Sequence, residues 1–255
     1  MLESLMGVVV GIVPALALLF FSLKGYEGFF EEKMLFKVFI IGLFLGLVAI
    51  IFELFKFFSL NPKEASIGFC LISIPGLAIF QALLKLFVIG RRRFKAVSST
   101  TFYGLALGLG FGAMYNFSLS FATLTPALKN YDYYLAALTI VIILGLLLLQ
   151  GATGAILGLG VATSKLLIMF GCAILIHSIH NSISFITHLN ILPPECYVAF
   201  VICYTVAIFI YTLKFLLPST SEELRKRRRR ALRKEAFLFS LKKKKEILQG
   251  KKKEK

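Results

Sequence analysis

Residues 134–149 read YLAALTIVIILGLLLL, sixteen positions without a charge. A second run, LMGVVVGIVPALALLFFSL, covers 5–23. About 20 apolar residues at 1.5 Å rise cross a ~30 Å hydrocarbon core, so both runs predict transmembrane helices. The whole chain has this character. It is 58% hydrophobic, with mean hydropathy +0.84, more apolar surface than a water-soluble domain can hide. The runs do not alternate apolar and polar residues, which excludes a β-barrel.

Working outward, seven segments have this composition: Leu5–Leu23, Phe36–Phe55, Ser66–Ile89, Thr101–Phe121, Tyr134–Ala162, Leu166–Ile186 and Tyr197–Leu217. The fifth is long enough to hold a kink or two short helices, which would make eight spans. The expected fold is all-α: a polytopic transmembrane bundle over residues 1–217 and a basic tail over residues 218–255. The first run lacks a basic leader and follows Glu3, so it reads as a span and not as a cleaved signal. Lys24, Lys33, Arg91–Arg93, Lys95 and Lys165 fall in alternate loops, and the opposite loops hold only Lys63 and Lys129. The positive-inside rule then predicts a multi-pass cell-membrane protein with an outer N-terminus and a cytoplasmic C-terminus.

The tail carries sixteen Lys or Arg against five Glu. Its densest runs are Arg225, Lys226, Arg227, Arg228, Arg229 and Arg230, then Lys242, Lys243, Lys244 and Lys245. Thr220 followed by Glu223 has the spacing of a capping box, which predicts a helix start near Ser221. Three readings are open for the charge: a topology signal, contact with anionic lipid headgroups, or contact with ribosomal RNA. The four cysteines show no CxxC spacing, and no disulfide or metal cluster is assigned to them.

Polar side chains at membrane depth are costly, and each needs a reason. Gln81 and Lys85 share a helix face at i, i+4. Tyr115 and Asn116 lie on the fourth span and Gln150 on the fifth. On the sixth, His177 and Asn181 are again i, i+4, with His180 at the edge of that face. Gly104, Gly108 and Gly112 repeat at i+4, as do Gly154 and Gly158, a small-xxx-small pattern that lets helices approach closely. The ordinary reading of each polar group is an interhelical hydrogen bond. Four helices turning polar groups inward also predict a shared cavity. Glu53 and Lys56, at i, i+3, read as a snorkelling pair.

These motifs resemble the PrsW-type intramembrane proteases, a branch of the group that contains the CAAX prenyl proteases. FQALLKLF (80–87) resembles the family's Glu-Glu-x-x-Lys helix. YGLALGLGFGAMYN (103–116) resembles Gly-x-Gly-Phe-x-x-x-Glu-Asn, LQGATGAILG (149–158) the Gly-rich helix opened by a histidine, and HSIHN (177–181) the closing His-x-x-x-Asp/Asn. The resemblance implies a catalytic set in which this chain departs from the family. Gln81 and Ala82 stand at the glutamate pair, Tyr115 at the later glutamate and Gln150 at the histidine. Lys85, Asn116, His177 and Asn181 keep the pattern. Glu31 and Glu32 precede a different helix and lack the family spacing.

Amide hydrolysis needs a general base or a metal-activated water. A hydrolytic zinc has about three protein ligands and an open position. His177 and His180 are the two imidazoles available, and an ordinary tyrosine titrates near 10. The expectation is therefore an inactive protease homologue that binds a membrane client, with no cofactor. Two alternatives remain: an active divergent intramembrane protease, for which zinc would be expected, and a ribosome- or translocation-associated factor acting through the tail. A transporter finds no support, because the halves show no internal repeat.

Overall fold

Glycine sets how closely the helices approach one another. In the computed structural model, which describes residues 7–59, 67–95, 97–188, 191–220, 222 and 226, the chain forms an all-helical bundle with no strand among the described residues. The helices are α1 (Val8–Leu23), α2 (Glu32–Ser59), α3 (Ile67–Ile89), α4 (Thr100–Lys129), α5 (Tyr133–Ala162), α6 (Leu166–His188) and α7 (Pro194–Thr220). Five of them, α2, α4, α5, α6 and α7, are long and apolar enough to cross a membrane. Among the described residues, α1 and the stretch Ser73–Ile89 of α3 are apolar but shorter.

Helix α4 is the axis of the bundle. Every residue from Thr100 to Ala113 is buried. It is the least apolar of the five long helices, with mean hydropathy 1.3 against 2.8 for α2. The reason is that α4 faces protein on every side along Thr100–Ala113, while α2 turns much of its surface outward. The glycines make this packing possible. A Cβ on Gly104 would strike the Gly154 carbonyl, and one on Gly108 the Gln150 carbonyl. On the opposite side of α4, a Cβ on Gly110 would meet the Phe39 carbonyl of α2, and one on Gly42 the Leu107 carbonyl. Backbone thus lies on backbone across both α4–α5 and α2–α4, as small residues at membrane helix contacts allow.

The outer surface is apolar. Phe20, Phe21, Phe44, Phe87 and Leu167 are each at least 66% exposed. An apolar surface this extensive needs lipid or a partner to cover it.

Two helices run further than the sequence predicts. The fourth span continues past Phe121 to Lys129, and the last continues past Leu217 to Thr220. Each passes a proline by means of a π-turn. Ser120–Leu124 precedes Pro126, and Thr212–Leu216 precedes Pro218; Val8–Ile12 does the same before Pro14. Proline lacks an N–H and crowds the carbonyl four residues back, and the wider π-turn relieves both problems. The expected cap at Thr220 is therefore corrected. Thr220 is buried inside the helix; its hydroxyl donates to the Leu216 carbonyl at 2.9 Å and can accept from the Thr101 hydroxyl, 3.2 Å away. The boundary expected after residue 217 falls within this helix. The fifth span is one unbroken 30-residue helix, started by Asp132, whose carboxylate accepts the Leu135 N–H at 2.9 Å.

Candidate functional site: a polar cluster between α3, α5 and α6

Lys85 enters the bundle from α3 and is 0% exposed. Its ammonium donates to Gln150 Oε1, to the Gln150 main-chain carbonyl at 3.5 Å and to Thr153 Oγ1 at 3.0 Å. The Phe111 ring of α4 lies 5.0 Å from Nζ. Three acceptors and one aromatic face surround Nζ, a set that can serve all three donors of a protonated lysine.

The other end of Gln150 is also used. Its Nε2 donates to Gln81 Oε1 at 2.9 Å. Gln81 and Lys85 share a face of α3, so one glutamine on α5 bridges both. Gln150 and Thr153 share a face of α5 in the same way, at i, i+3. Thr153 Oγ1 lies 3.0 Å from His177 Nε2 of α6. It also donates to the Leu149 carbonyl at 2.9 Å or the Gln150 carbonyl at 3.2 Å. A hydroxyl has one proton. If that proton goes to a carbonyl, His177 donates through Nε2–H; if it goes to His177, the ring is neutral and protonated on Nδ1.

The structure therefore brings together Gln81, Lys85, Gln150 and His177 of the residues expected at the site. Ala82 is buried beside Gln81 and contributes no polar atom. Asn116 is fully buried but bonds elsewhere, donating to the Ile143 carbonyl at 2.7 Å, with its Oδ1 unpartnered. His180 turns to α7, where its Nε2 lies 3.5 Å from the Tyr197 hydroxyl, and its Nδ1 is unpartnered. Tyr115 and Asn181 are half-buried, and the bonds joining Lys85, Gln150, Thr153 and His177 do not pass through them.

Sequence reasoning missed Thr153, which is the link to His177. Its signal was its position three residues after Gln150. Of the tail's basic residues, Lys226 is described, helical and exposed. Arg225, Arg227, Arg228, Arg229, Arg230 and Lys242–Lys245 lie outside the described residues, as do the side chains of Glu53 and Lys56.

Chemically, the cluster is a buried lysine amine held by uncharged polar groups. Among the described residues no group of three or more His, Cys, Asp or Glu is placed to hold a metal ion. His177 and His180 engage different helices, one through Thr153 and one through Tyr197. The described donors thus fall short of the three ligands a hydrolytic zinc takes.

No family model, no curated protein and no solved structure matches this chain.

Proposed function

We propose that the chain is a PrsW-like integral membrane protein that has lost protease chemistry and binds a membrane client. The observation that carries this reading is the pairing of Gln150 with both Lys85 and Gln81. The resemblance puts a histidine and a glutamate at the two glutamine positions. Here one amide bonds both the other amide and the lysine, and neither amide can take a proton from water at neutral pH. Neutral amides preserve packing and hydrogen bonding at membrane depth while discarding acid–base chemistry.

On this reading the bundle spans the membrane seven times, with the fifth helix unbroken. The loops bearing Lys24, Arg91–Arg93 and Lys165 and the basic tail face the cytoplasm. The tail adds salt-sensitive contact with anionic headgroups; ribosomal RNA is its alternative partner.

Reversing the substitutions tests the reading. The Gln81→Glu, Ala82→Glu, Tyr115→Glu, Gln150→His protein should acquire bound zinc by elemental analysis while remaining folded. A folded quadruple variant as metal-free as the parent would show that these positions do not surround one site.

One observation favours a second reading, residual hydrolysis. The Thr153 hydroxyl sits 3.0 Å from both Lys85 Nζ and His177 Nε2, two groups that can act as bases when neutral. Stoichiometric zinc in the unaltered protein, lost in His177→Ala, would favour a metal-dependent form of that activity.

A further inference from the structure

A groove of about 260 Å³ opens where α1 ends and α2 begins. Leu19, Leu23 and Leu35 line its floor, and Lys24, Glu27 and Glu32 stand on its rim. The segment that shapes it is held in place. Gly25 and Gly28 adopt φ of 88° and 82°, which only glycine reaches without strain. The rings of Tyr26 and Phe30 pack on Phe102 at 5.4 and 5.6 Å. The Glu31 N–H donates to the Tyr103 hydroxyl at 3.0 Å.

One rim charge, Glu27, is positioned by the turn. The Gly25 N–H donates to Glu27 Oε1 at 3.0 Å, and this bond holds the carboxyl below the usual carboxylate range, with Lys24 contributing to a smaller extent. Glu27 is therefore ionised at neutral pH. Phe20, at 67% exposure, also lines the groove, which thus opens onto the lipid-facing surface.

One cation and two carboxylates above an apolar floor complement a zwitterion with a hydrocarbon tail. The volume lies just below the usual ligand-pocket range, so it suits a headgroup rather than a whole lipid. We propose that this groove binds an aminophospholipid of the phosphatidylethanolamine class. Lys24 meets the phosphate, Glu27 and Glu32 accept from the primary ammonium, and an acyl chain follows Phe20 outward. A primary ammonium donates charge-assisted hydrogen bonds; a trimethylated one has no N–H to give. Phosphatidylcholine is therefore the natural control.

The test uses the full chain in nanodiscs that hold equal amounts of phosphatidylethanolamine and phosphatidylcholine with matched acyl chains. Lipid retained on release is counted by native mass spectrometry. The parent protein should retain phosphatidylethanolamine over phosphatidylcholine by roughly tenfold, the scale of one charge-assisted hydrogen bond. Glu27→Gln with Glu32→Gln should bring the two lipids to parity, and Lys24→Gln should weaken retention of both. The glutamine at 27 keeps an acceptor for the Gly25 N–H, so the turn survives. Glu31→Gln, which lies off the groove, should leave the preference intact. Equal retention by the parent, an unchanged preference in the double variant, or a preference lost in Glu31→Gln would each overturn the proposal.

Discussion

Lys85 and Gln150 meet across α3 and α5, and the lysine donates to both the side-chain and the main-chain carbonyl of that one glutamine. The glutamine in turn donates to Gln81. The amide accepts from the lysine through its oxygen and donates to its neighbour through its nitrogen; a carboxylate at 150 would leave Gln81 without its donor. Gln150 is thus the residue that completes the hydrogen bonding between α3 and α5. Breaking the pair leaves polar atoms buried. Gln150→Leu and Lys85→Met should each cost about 1–3 kcal/mol. Thermal unfolding in detergent should show the double variant losing less than the sum of the single losses. Additive losses would mean that the two side chains do not share a bond.

The glycine contacts predict a sharp contrast between two alanine substitutions. Gly108→Ala drives a methyl into the Gln150 carbonyl, a backbone atom that cannot swing away. Overpacking of this kind costs about 1–3 kcal/mol. Gly76→Ala meets nothing within 4 Å and should be neutral or gain up to ~1 kcal/mol from helix propensity. Equal melting temperatures for the two variants would contradict the close α4–α5 approach.

Thr220 ties the last helix to the start of α4 through Thr101. Thr220→Val and Thr101→Val should each lower stability by about 1 kcal/mol, and the pair together by less than twice that. A destabilisation confined to Thr220→Val would assign its role to the Leu216 bond alone.

The tail's sixteen basic residues should confer binding that falls as salt rises, since the Debye length is about 10 Å at 0.1 M. A peptide covering residues 219–255 should bind anionic vesicles at low ionic strength and release them at high. Equal binding to neutral vesicles would refute an electrostatic role.

Most of the helix plan was legible because apolar runs of membrane length carry it directly. Segment ends near proline were not. Apolar composition placed stops at Phe121 and Leu217, and π-turns carried α4 and α7 past both points. The site was legible where costly polar groups repeat at i, i+4, as with Gln81 and Lys85. It was illegible at Thr153, because a threonine in a helix ordinarily satisfies itself on its own backbone. Adjacency also misled: Asn116 follows Tyr115 and His180 precedes Asn181, yet each turns to a different partner from the cluster.

The central proposal is that the buried cluster does not support peptide hydrolysis. Its most direct test is to reconstitute the purified protein with membrane-embedded peptides and search for cleavage products by mass spectrometry. The expected result is no cleavage by the unaltered chain, with His177→Ala changing stability or client binding instead. Robust proteolysis by the unaltered chain, abolished by His177→Ala, would contradict the account and identify a divergent enzyme.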